Sequence, residues 1–440
     1  WASRAAAMLF AVHPVHAEAV AWISGRAELL AAGLVVAGWI AYRGRGASSA
    51  LAAGLLVFLA GLSKENALVA PGLFLLADLL LPHDAADGSA RTRRESLRRL
   101  VPSAVAVCTL VALRLSLLDH AAPDHGPFLD TDLTGRVVVA LSVLGRALQL
   151  LVWPSELRVE YQKDEVALAG FPELAAVTAL LMVAWLTRRR LPALGTALCL
   201  VPLAMLPVLH LMPIGEPFAE RFLYLPSVPF CLGLGVLFGA WMDRERTRSL
   251  GQPGTSLVAL AACVIAGVFT SRAASATFRD DLTLWAHTAE VAPHVALARY
   301  NHGSFLLEAG RLHDESRSQP GALTELQASL DLAPRHAWAG WAHLALARAA
   351  LDTEPPTPPR PGTAASQLRL ALDRDPQLVD ARLLFADLAL SSPESVGRSE
   401  ALQALDELAA LGALDPARAA DAAQLRTRLL TPPTADDGSR

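Results

Sequence analysis

The chain has 440 residues, 53% of them hydrophobic and 18% charged, with a mean hydropathy of +0.36. A soluble domain carries about a quarter charged residues, so a wholly soluble globular protein is excluded. The formal net charge is −4 and the arginine-rich stretches all lie between apolar segments, where they read as membrane-topology signals and not as a nucleic-acid surface.

Residues Ala5–Val12 read as the end of an apolar helix with no charged region before it. That is not a signal peptide, and the chain is expected to be N-terminally truncated. Up to about Arg272 long apolar stretches alternate with short charged ones. A span needs about 20 predominantly apolar residues. The candidates are Arg26–Tyr42, Ser49–Ser63, Ala67–Leu81, Leu100–Leu118, Pro172–Thr187, Leu191–Leu209, Phe222–Met242 and Thr255–Ser271. Residues 1–272 are therefore expected to form a membrane domain of about eight spans and a partial first one. All four cysteines, Cys108, Cys199, Cys231 and Cys263, fall in apolar segments and are expected to be buried small hydrophobes.

Lysine and arginine in short loops set orientation. Arg91–Arg99, Arg188–Arg190, Arg244–Arg248 and the weaker Arg43/Arg45 pair belong in the cytoplasm. The outer loops then hold His13–Gly25, Ser63–Asn66, Asp119–Phe171 and His210–Arg221, and Asp119–Asp132 carries four aspartates without a Lys or Arg. The apolar run Val137–Val152 contains Arg146 and Gln149 and follows Arg136. As a crossing helix it would move Arg188–Arg190 outside, so an interfacial helix on the outer face is expected.

Beyond Arg272 a repeat emerges. Val-Ala-Pro at 291–293, Leu-Ala-Pro at 332–334, Arg-Asp-Pro at 374–376 and Leu-Asp-Pro at 414–416 recur at a spacing of roughly 40 residues, above the tetratricopeptide period of about 34. Insertions at Asp314–Gly321 and Glu354–Gly362 account for the excess. Between the prolines lie amphipathic helix pairs with Tyr300, Gly303, Leu307, Ala322, Leu326 and Ala328 at packing positions, and proline ends each second helix. Residues 273–430 are expected to form an α-solenoid of tetratricopeptide-like repeats, and 431–440 a disordered tail. The solenoid serves either as a docking surface for a protein or peptide or as a module presenting substrate to the membrane domain.

Ionisable residues at membrane depth persist mainly where they line a cavity or a reaction path. In the first outer loop, Pro14 keeps His13 out of helical geometry, and Glu18, Trp22 and Arg26 fall at helical i, i+4 spacing with Glu28 close by. A carboxylate here can serve as a general base, and two histidines with a glutamate can bind a metal. The alternative is an interfacial loop in which Glu18 and Arg26 pair. Lys64 and Glu65 occupy a very short outer turn, where a lysine calls for an anion such as a lipid phosphate; the alternative is a Lys64 paired with Glu65 or reaching for water. Glu220, Arg221 and Tyr224 start a span on one face. An arginine forks two hydrogen bonds to phosphate, so Lys64 and Arg221 together would cradle one; the alternative is an interfacial anchor. Arg114, inside a span near its outer end, is an additional phosphate-binding candidate.

These motifs resemble a family. The runs His13-Pro14-Val15-His16-Ala17-Glu18-Ala19-Val20 and Gly25-Arg26-Ala27-Glu28-Leu29-Leu30, the turn Leu62-Ser63-Lys64-Glu65-Asn66 and the stretch Glu220-Arg221-Phe222-Leu223-Tyr224-Leu225-Pro226-Ser227 are similar to those of the transmembrane and tetratricopeptide-repeat O-mannosyltransferases and their bacterial relatives. The resemblance implies an all-α GT-C fold that takes a sugar from a polyprenyl-phosphate carrier to a protein or glycan hydroxyl on the outer side, with inversion at the sugar carbon. A carboxylate would remove the acceptor proton and basic groups would stabilise the leaving phosphate. The family's usual catalytic aspartate lies in a first outer loop upstream of Trp1. Within this chain Glu18, at most its partner, and His13 and His16 are the catalytic candidates. Arg26, Glu28, Lys64, Glu65, Arg114, Glu220, Arg221 and Tyr224 are the substrate-binding ones. No resident cofactor or metal is expected, though metal dependence stays open. The expected partners are membrane lipid, the lipid-linked sugar and a protein acceptor. The composition, rich in Ala, Arg and Leu and poor in Lys, points to a bacterial inner membrane with the repeats in the periplasm. A non-enzymatic membrane scaffold and an O-antigen-ligase-like enzyme are the alternatives.

Overall fold

The computed structural model describes residues 1–81, 92–117, 127–167, 170–212, 214–248, 254–314, 320–336, 338–351, 361–410 and 415–431. Among these residues every regular element is a helix, in line with the all-α expectation, and the chain divides into two compact units, Trp1–Asp280 and Asp281–Arg440. Most of the acidic segment 119–132, part of both repeat insertions and the end of the chain from 432 on lie outside the described residues.

The first unit contains α1 (Ala2–Ala11), α2 (Ala17–Ala21), α3 (Arg26–Arg43), α4 (Gly46–Ser63), α5 (Ala70–Leu80), α6 (Arg93–Leu117), α7 (Leu133–Val152), α8 (Lys163–Ala167), α9 (Phe171–Thr187), α10 (Pro192–Met205), α11 (Tyr224–Arg248) and α12 (Thr255–Ala276). Among the described residues, six stretches are long and apolar enough to cross a membrane: Ile23–Arg43, Gly46–Ser63, Arg93–Leu117, Leu133–Val152, Glu220–Thr247 and Thr255–Ala276. Three other expected spans form helices of fewer than 18 residues. Residues Glu65–Val69 wind into a 3-10 turn, so α5 keeps only 11 residues. Helix α9 has 17, and α10 stops after 14 where Leu206–Val208 tightens around Pro207, a residue that cannot continue an α-helix.

Packing fixes the directions of these helices. Arg99, near the start of α6, donates to the Tyr42 carbonyl (3.0 and 3.2 Å) and the Gly46 carbonyl (2.9 Å), where α3 ends and α4 begins. Further along, Gly54 meets Pro102 and Gly61 meets Leu110, so α4 and α6 run parallel. A Cβ on Gly54 would lie 2.7 Å from the Pro102 ring; only glycine lets the helices approach this closely. At the Arg99 end Tyr42 donates to Asp78 (2.5 Å), which also holds Arg43 (3.3 Å). Helix α1 runs against α11, with Ala2 and Ala6 beside Gly239 and Gly235. Helix α12 starts where Glu245 accepts from Thr255 and Ser256 and reaches Val12, whose carbonyl accepts from Ser271 (2.7 Å). The far ends of α1 and α12 thus coincide with the Lys64 turn end, opposite Tyr42 and Arg99.

Helix α7 differs from its neighbours. Arg136 near its start donates to the Leu211 carbonyl (3.5 Å), Gly145 at its middle lies against Glu173 at the top of α9, and Leu151 at its end accepts from His13 (3.0 Å). Start, middle and end all touch segments from one end of the bundle.

Many large apolar side chains of this unit stay exposed, among them Val105 (57%), Trp185 (62%) and Phe269 (69%). Soluble monomers rarely expose extended apolar patches; these faces suit lipid. The cysteines follow the same logic and correct the sequence expectation: Cys231 is buried and Cys199 half-buried, but Cys108 and Cys263 are exposed, on helix faces that packing leaves outward.

The second unit comprises α13 (Asp281–Val291), α14 (Ala296–Glu308), α15 (Ala322–Leu332), α16 (Ala339–Leu351), α17 (Pro361–Arg374), α18 (Val379–Ser391), α19 (Arg398–Ala410) and α20 (Pro416–Leu430). Each packs on its sequence neighbours, the arrangement of a solenoid. Pro293, Pro334 and Pro376 follow the ends of α13, α15 and α17 as expected, whereas Pro416 opens α20 behind the capping carboxylate of Asp415. Proline fits there because the first helical N–H lacks a partner in any case. Buried Glu325 on α15 binds Arg299 on α14 (3.0 Å), and Arg382 on α18 binds Glu407 on α19 (2.5 Å).

The Gly54 contact has a measurable consequence. Gly54→Ala is expected to destabilise the first unit by about 1–3 kcal/mol through overpacking, read as a lower Tm in detergent. Gly33→Ala, where a Cβ meets nothing within 4 Å, is expected to be neutral or stabilising by up to about 1 kcal/mol.

Candidate functional site

Four stretches distant in sequence converge at the Lys64 end of the first unit: His13–Gly25, Lys64–Asn66, the segment 158–165, and 210–224.

The first is shaped by Pro14. His13 is held extended (ψ 124°) and Pro14–His16 form a 3-10 turn. The His13 Nε2–H donates to the Leu151 carbonyl (3.0 Å) while its Nδ1 accepts from the Val15 N–H (3.4 Å). His16 Nε2 lies 2.8 Å from Ser227 Oγ, whose hydroxyl donates to the Tyr224 carbonyl (2.7 Å). Burial drives both imidazoles toward the neutral form, lowering the pKa of His13 and taking that of His16 to about 3. They act as structural ties between the first loop and α7 or α11, and not as proton carriers near neutral pH.

Helix α2 ends at Ala21, and Trp22 turns extended (ψ 129°). The i, i+4 relation of Glu18, Trp22 and Arg26 expected from the sequence is therefore broken. Gly25 folds back on Ala19, where a Cβ would lie 2.8 Å from the Ala19 backbone. Arg26 is exposed and does not pair with Glu18.

Glu18 pairs instead across 203 residues. Fully buried, it accepts from the Arg221 backbone N–H (2.8 Å) and from the Arg221 guanidinium, whose other terminal nitrogen donates to Glu216. The guanidinium also lies 5.0 Å from the Trp22 ring centroid. Burial raises the Glu18 pKa, and the Arg221 charge opposes that shift.

The same 3-10 turn sends its neighbours elsewhere. Glu220 points away from Arg221 and accepts from the Arg158 N–H and the Tyr161 O–H, both at 2.6 Å. Tyr224 packs against His16 with the rings tilted by 56° and centroids 4.7 Å apart. The expectation that Glu220, Arg221 and Tyr224 present one face is thus corrected: a 3-10 turn precedes α11 and fans them out. Glu28 sits beside the cluster, accepting from Asn66 (3.1 and 3.3 Å) and facing Lys64 at 3.6 Å. Lys64 is partnered by Glu28 and not by Glu65, which is exposed. Arg114, one turn beyond Leu110, is exposed on α6 and makes no ion pair among the described residues.

Glu160, Tyr161 and Arg158 were not singled out from the sequence. They belong to a stretch with no apolar run beside them, and only the pattern Arg158-Val159-Glu160-Tyr161 on the outer side could have drawn attention. Burial, with Glu216 adding to it, lifts the Glu160 pKa to about 7. Among the described residues no three His, Cys, Asp or Glu are grouped so as to hold a metal ion.

No protein-family model and no solved structure matches the chain. Curated relatives do. The chain is 27% identical over 335 residues to a protein O-mannosyl-transferase of Caenorhabditis elegans, covering 72% of this chain and 45% of that protein. It is 27% identical over 265 residues to human Protein O-mannosyl-transferase TMTC3 (52% of this chain, 29% of the relative). It is 26% identical over 364 residues to Drosophila melanogaster Protein O-mannosyl-transferase Tmtc3 (70% and 39%). The chain spans less than half the length of each of these relatives.

Two outcomes are expected. Glu18→Gln, which removes the buried carboxylate partner of Arg221 and leaves it only the half-exposed Glu216, should cost about 3–5 kcal/mol, and the double variant Glu18→Leu/Arg221→Met should recover most of it, read as Tm in detergent. His16, whose pKa falls from 6.5 to about 3 on folding, binds a proton only in the unfolded chain between those values, so its contribution to stability is lost as pH falls through that window. Wild type should therefore lose more Tm between pH 7 and pH 4 than His16→Gln.

Proposed function

We propose that the first unit is a GT-C-type membrane glycosyltransferase that moves a hexose, by analogy with its relatives mannose, from a polyprenyl-phosphate carrier to a hydroxyl of a protein acceptor. The observation that carries the reading is the buried Glu18–Arg221–Glu216 bridge, flanked by Glu28–Lys64 and Glu160, at one end of a bundle of apolar helices. Charges at that depth persist where they serve a reaction path. The names of the relatives supply the chemistry.

In this reading the donor slides in laterally with its isoprenoid in lipid and its phosphate at the level of Lys64. Lys64 keeps a side-chain exposure of 27% beside its single carboxylate partner, leaving ammonium hydrogens to meet the phosphate. Arg221 contributes its fixed charge and holds Glu18 and Glu216 in place. As the bond between sugar and phosphate breaks, charge grows on the phosphate, and pre-aimed cations favour that growth over the ground state. The cluster faces the extracytoplasmic side, because Arg43, Arg99 and the other arginine-rich loops gather at the opposite end. Helix α7 lies along that face as an interfacial helix, supported by its three contacts with outer segments. Since α12 ends at this same level, the tetratricopeptide-like repeats follow on the extracytoplasmic side, where they bind acceptor protein.

The test is transfer from radiolabelled polyprenyl-phosphate mannose by the protein in liposomes. Lys64→Ala is expected to reduce release of polyprenyl phosphate by about 10²-fold or more in protein that still unfolds cooperatively in detergent. Arg221→Ala is expected to abolish it. Absence of both turnover and binding with every lipid-linked sugar offered would leave the non-enzymatic scaffold.

A further inference from the structure

Helices α7 and α9 touch and then part. A Cβ on Gly145 would lie 2.5 Å from the Glu173 Cα, so the two helices cross there with almost nothing between them. Beyond the crossing a cleft of about 580 Å³ opens between α7, α9, α10 and α11, a volume in the range of small-molecule sites. It exists because α9 turns the small Ala176 and Ala179 toward it, while the large Leu181, Met182 and Trp185 of the same helix point outward. Leu180, Val183, Leu198 and Phe230 complete the apolar floor. From Ala176 to Val183 this floor follows α9 for about 10 Å, leading away from the loop end where α9 starts.

The rim is polar and carries one sign of charge. Arg146 and Gln149, three residues apart on α7, share one face of that helix, and both line the cleft, with Trp153 and Ser155 beyond them. Arg146 and Gln149 are half-buried, and among the described residues neither side chain makes a hydrogen bond or an ion pair. The Arg146 guanidinium lies 5.9 Å from the ring centroid of Tyr161, whose hydroxyl donates to Glu220 (2.6 Å). No Asp or Glu among the described residues lines the cleft. An arginine that only sought water would extend its head past the apolar surface; this one lies inward against a buried ring, beside a second unused donor.

We propose that the cleft binds an anionic glycerophospholipid of the surrounding membrane, with its phosphate on Arg146 and Gln149 and one acyl chain between α7, α9 and α10. A guanidinium forks two hydrogen bonds to phosphate oxygens, and the Gln149 amide adds a neutral donor. The positive rim selects a head that has no cationic group. The cleft opens beside the exposed Val152 and Val183, so the ligand enters from the bilayer without crossing water. None of Glu18, Glu28, Lys64 and Arg221 lines it. The site is therefore separate from the cradle assigned above to the sugar donor, and it does not depend on the transfer reaction. Seated there, the lipid wedges α7 against α9 and holds the Leu151 carbonyl where His13 donates to it (3.0 Å).

The experiment titrates dioleoylphosphatidylglycerol into the full chain in detergent, with dioleoylphosphatidylcholine as the zwitterionic control, and reads Tm. Phosphatidylglycerol is expected to raise the wild-type Tm along a saturable curve, and phosphatidylcholine to raise it less. Arg146→Gln should weaken the apparent affinity for phosphatidylglycerol by about tenfold or more. Arg146→Lys, which keeps the charge without the fork, should fall between the two. Ala179→Phe, which fills the trough and leaves Arg146 in place, should remove the shift. Each variant is compared with itself in lipid-free detergent, so a change in basal Tm does not enter the readout. Equal shifts with both lipids, or an unaltered phosphatidylglycerol curve in Arg146→Gln or Ala179→Phe, overturn the site. Polyprenyl phosphate that displaces phosphatidylglycerol at a lower concentration than phosphatidylglycerol itself requires overturns the choice of occupant and makes the cleft part of the donor site.

Discussion

A single guanidinium organises the charged end of the first unit. Arg221 is bound on one side by Glu18, fully buried in the first loop, and on the other by Glu216 in the loop before α11. Removing charges from water costs several kcal/mol per ion unless geometry and hydrogen bonding compensate. The compensation here needs the backbone N–H of Arg221 as well as its side chain, hence the tight turn that precedes α11. The bridge joins segments about two hundred residues apart in the chain. Specificity of assembly follows: a misplaced α11 would leave the buried Glu18 without its partner.

The opposite end has a parallel device. Arg99 satisfies the Tyr42 carbonyl left open where α3 stops and also donates to the Gly46 carbonyl at the start of α4, and Asp78 gathers Tyr42 and Arg43. The helices between these two polar ends have little but shape to hold them, since lipid tails are as apolar as their own side chains. Close contacts such as Gly54 on Pro102 are the means by which they interlock.

Much of this was legible in the sequence. Long apolar runs and recurring prolines are local patterns, and they gave the helical class, the helical stretches and most repeat boundaries. Grouping His13–Glu28, Lys64 and Glu220–Tyr224 rested on loop charge and resemblance, and the structure brings Glu18, Glu28, Lys64 and Arg221 to one end. Pair identities were not legible. Arg26 lies at tempting spacing from Glu18, yet the chain turns at Trp22, and Lys64 adjoins Glu65 but meets Glu28. Such choices depend on three-dimensional packing. Glu160 escaped notice because most of the charges around it, Glu216, Arg221 and Glu18, lie far from it along the chain.

The stretch that carries Glu160 is anchored through two donors to one oxygen of Glu220. The segment from Arg158 to Glu165 is also closed on itself, Glu165 accepting from the Arg158 side chain (2.5 Å) and the Gln162 N–H (2.8 Å), so it keeps its shape when the chain on either flank changes length. Length on the flanks beyond Arg158 and Glu165 can therefore change without moving Tyr161 or its partner Glu220.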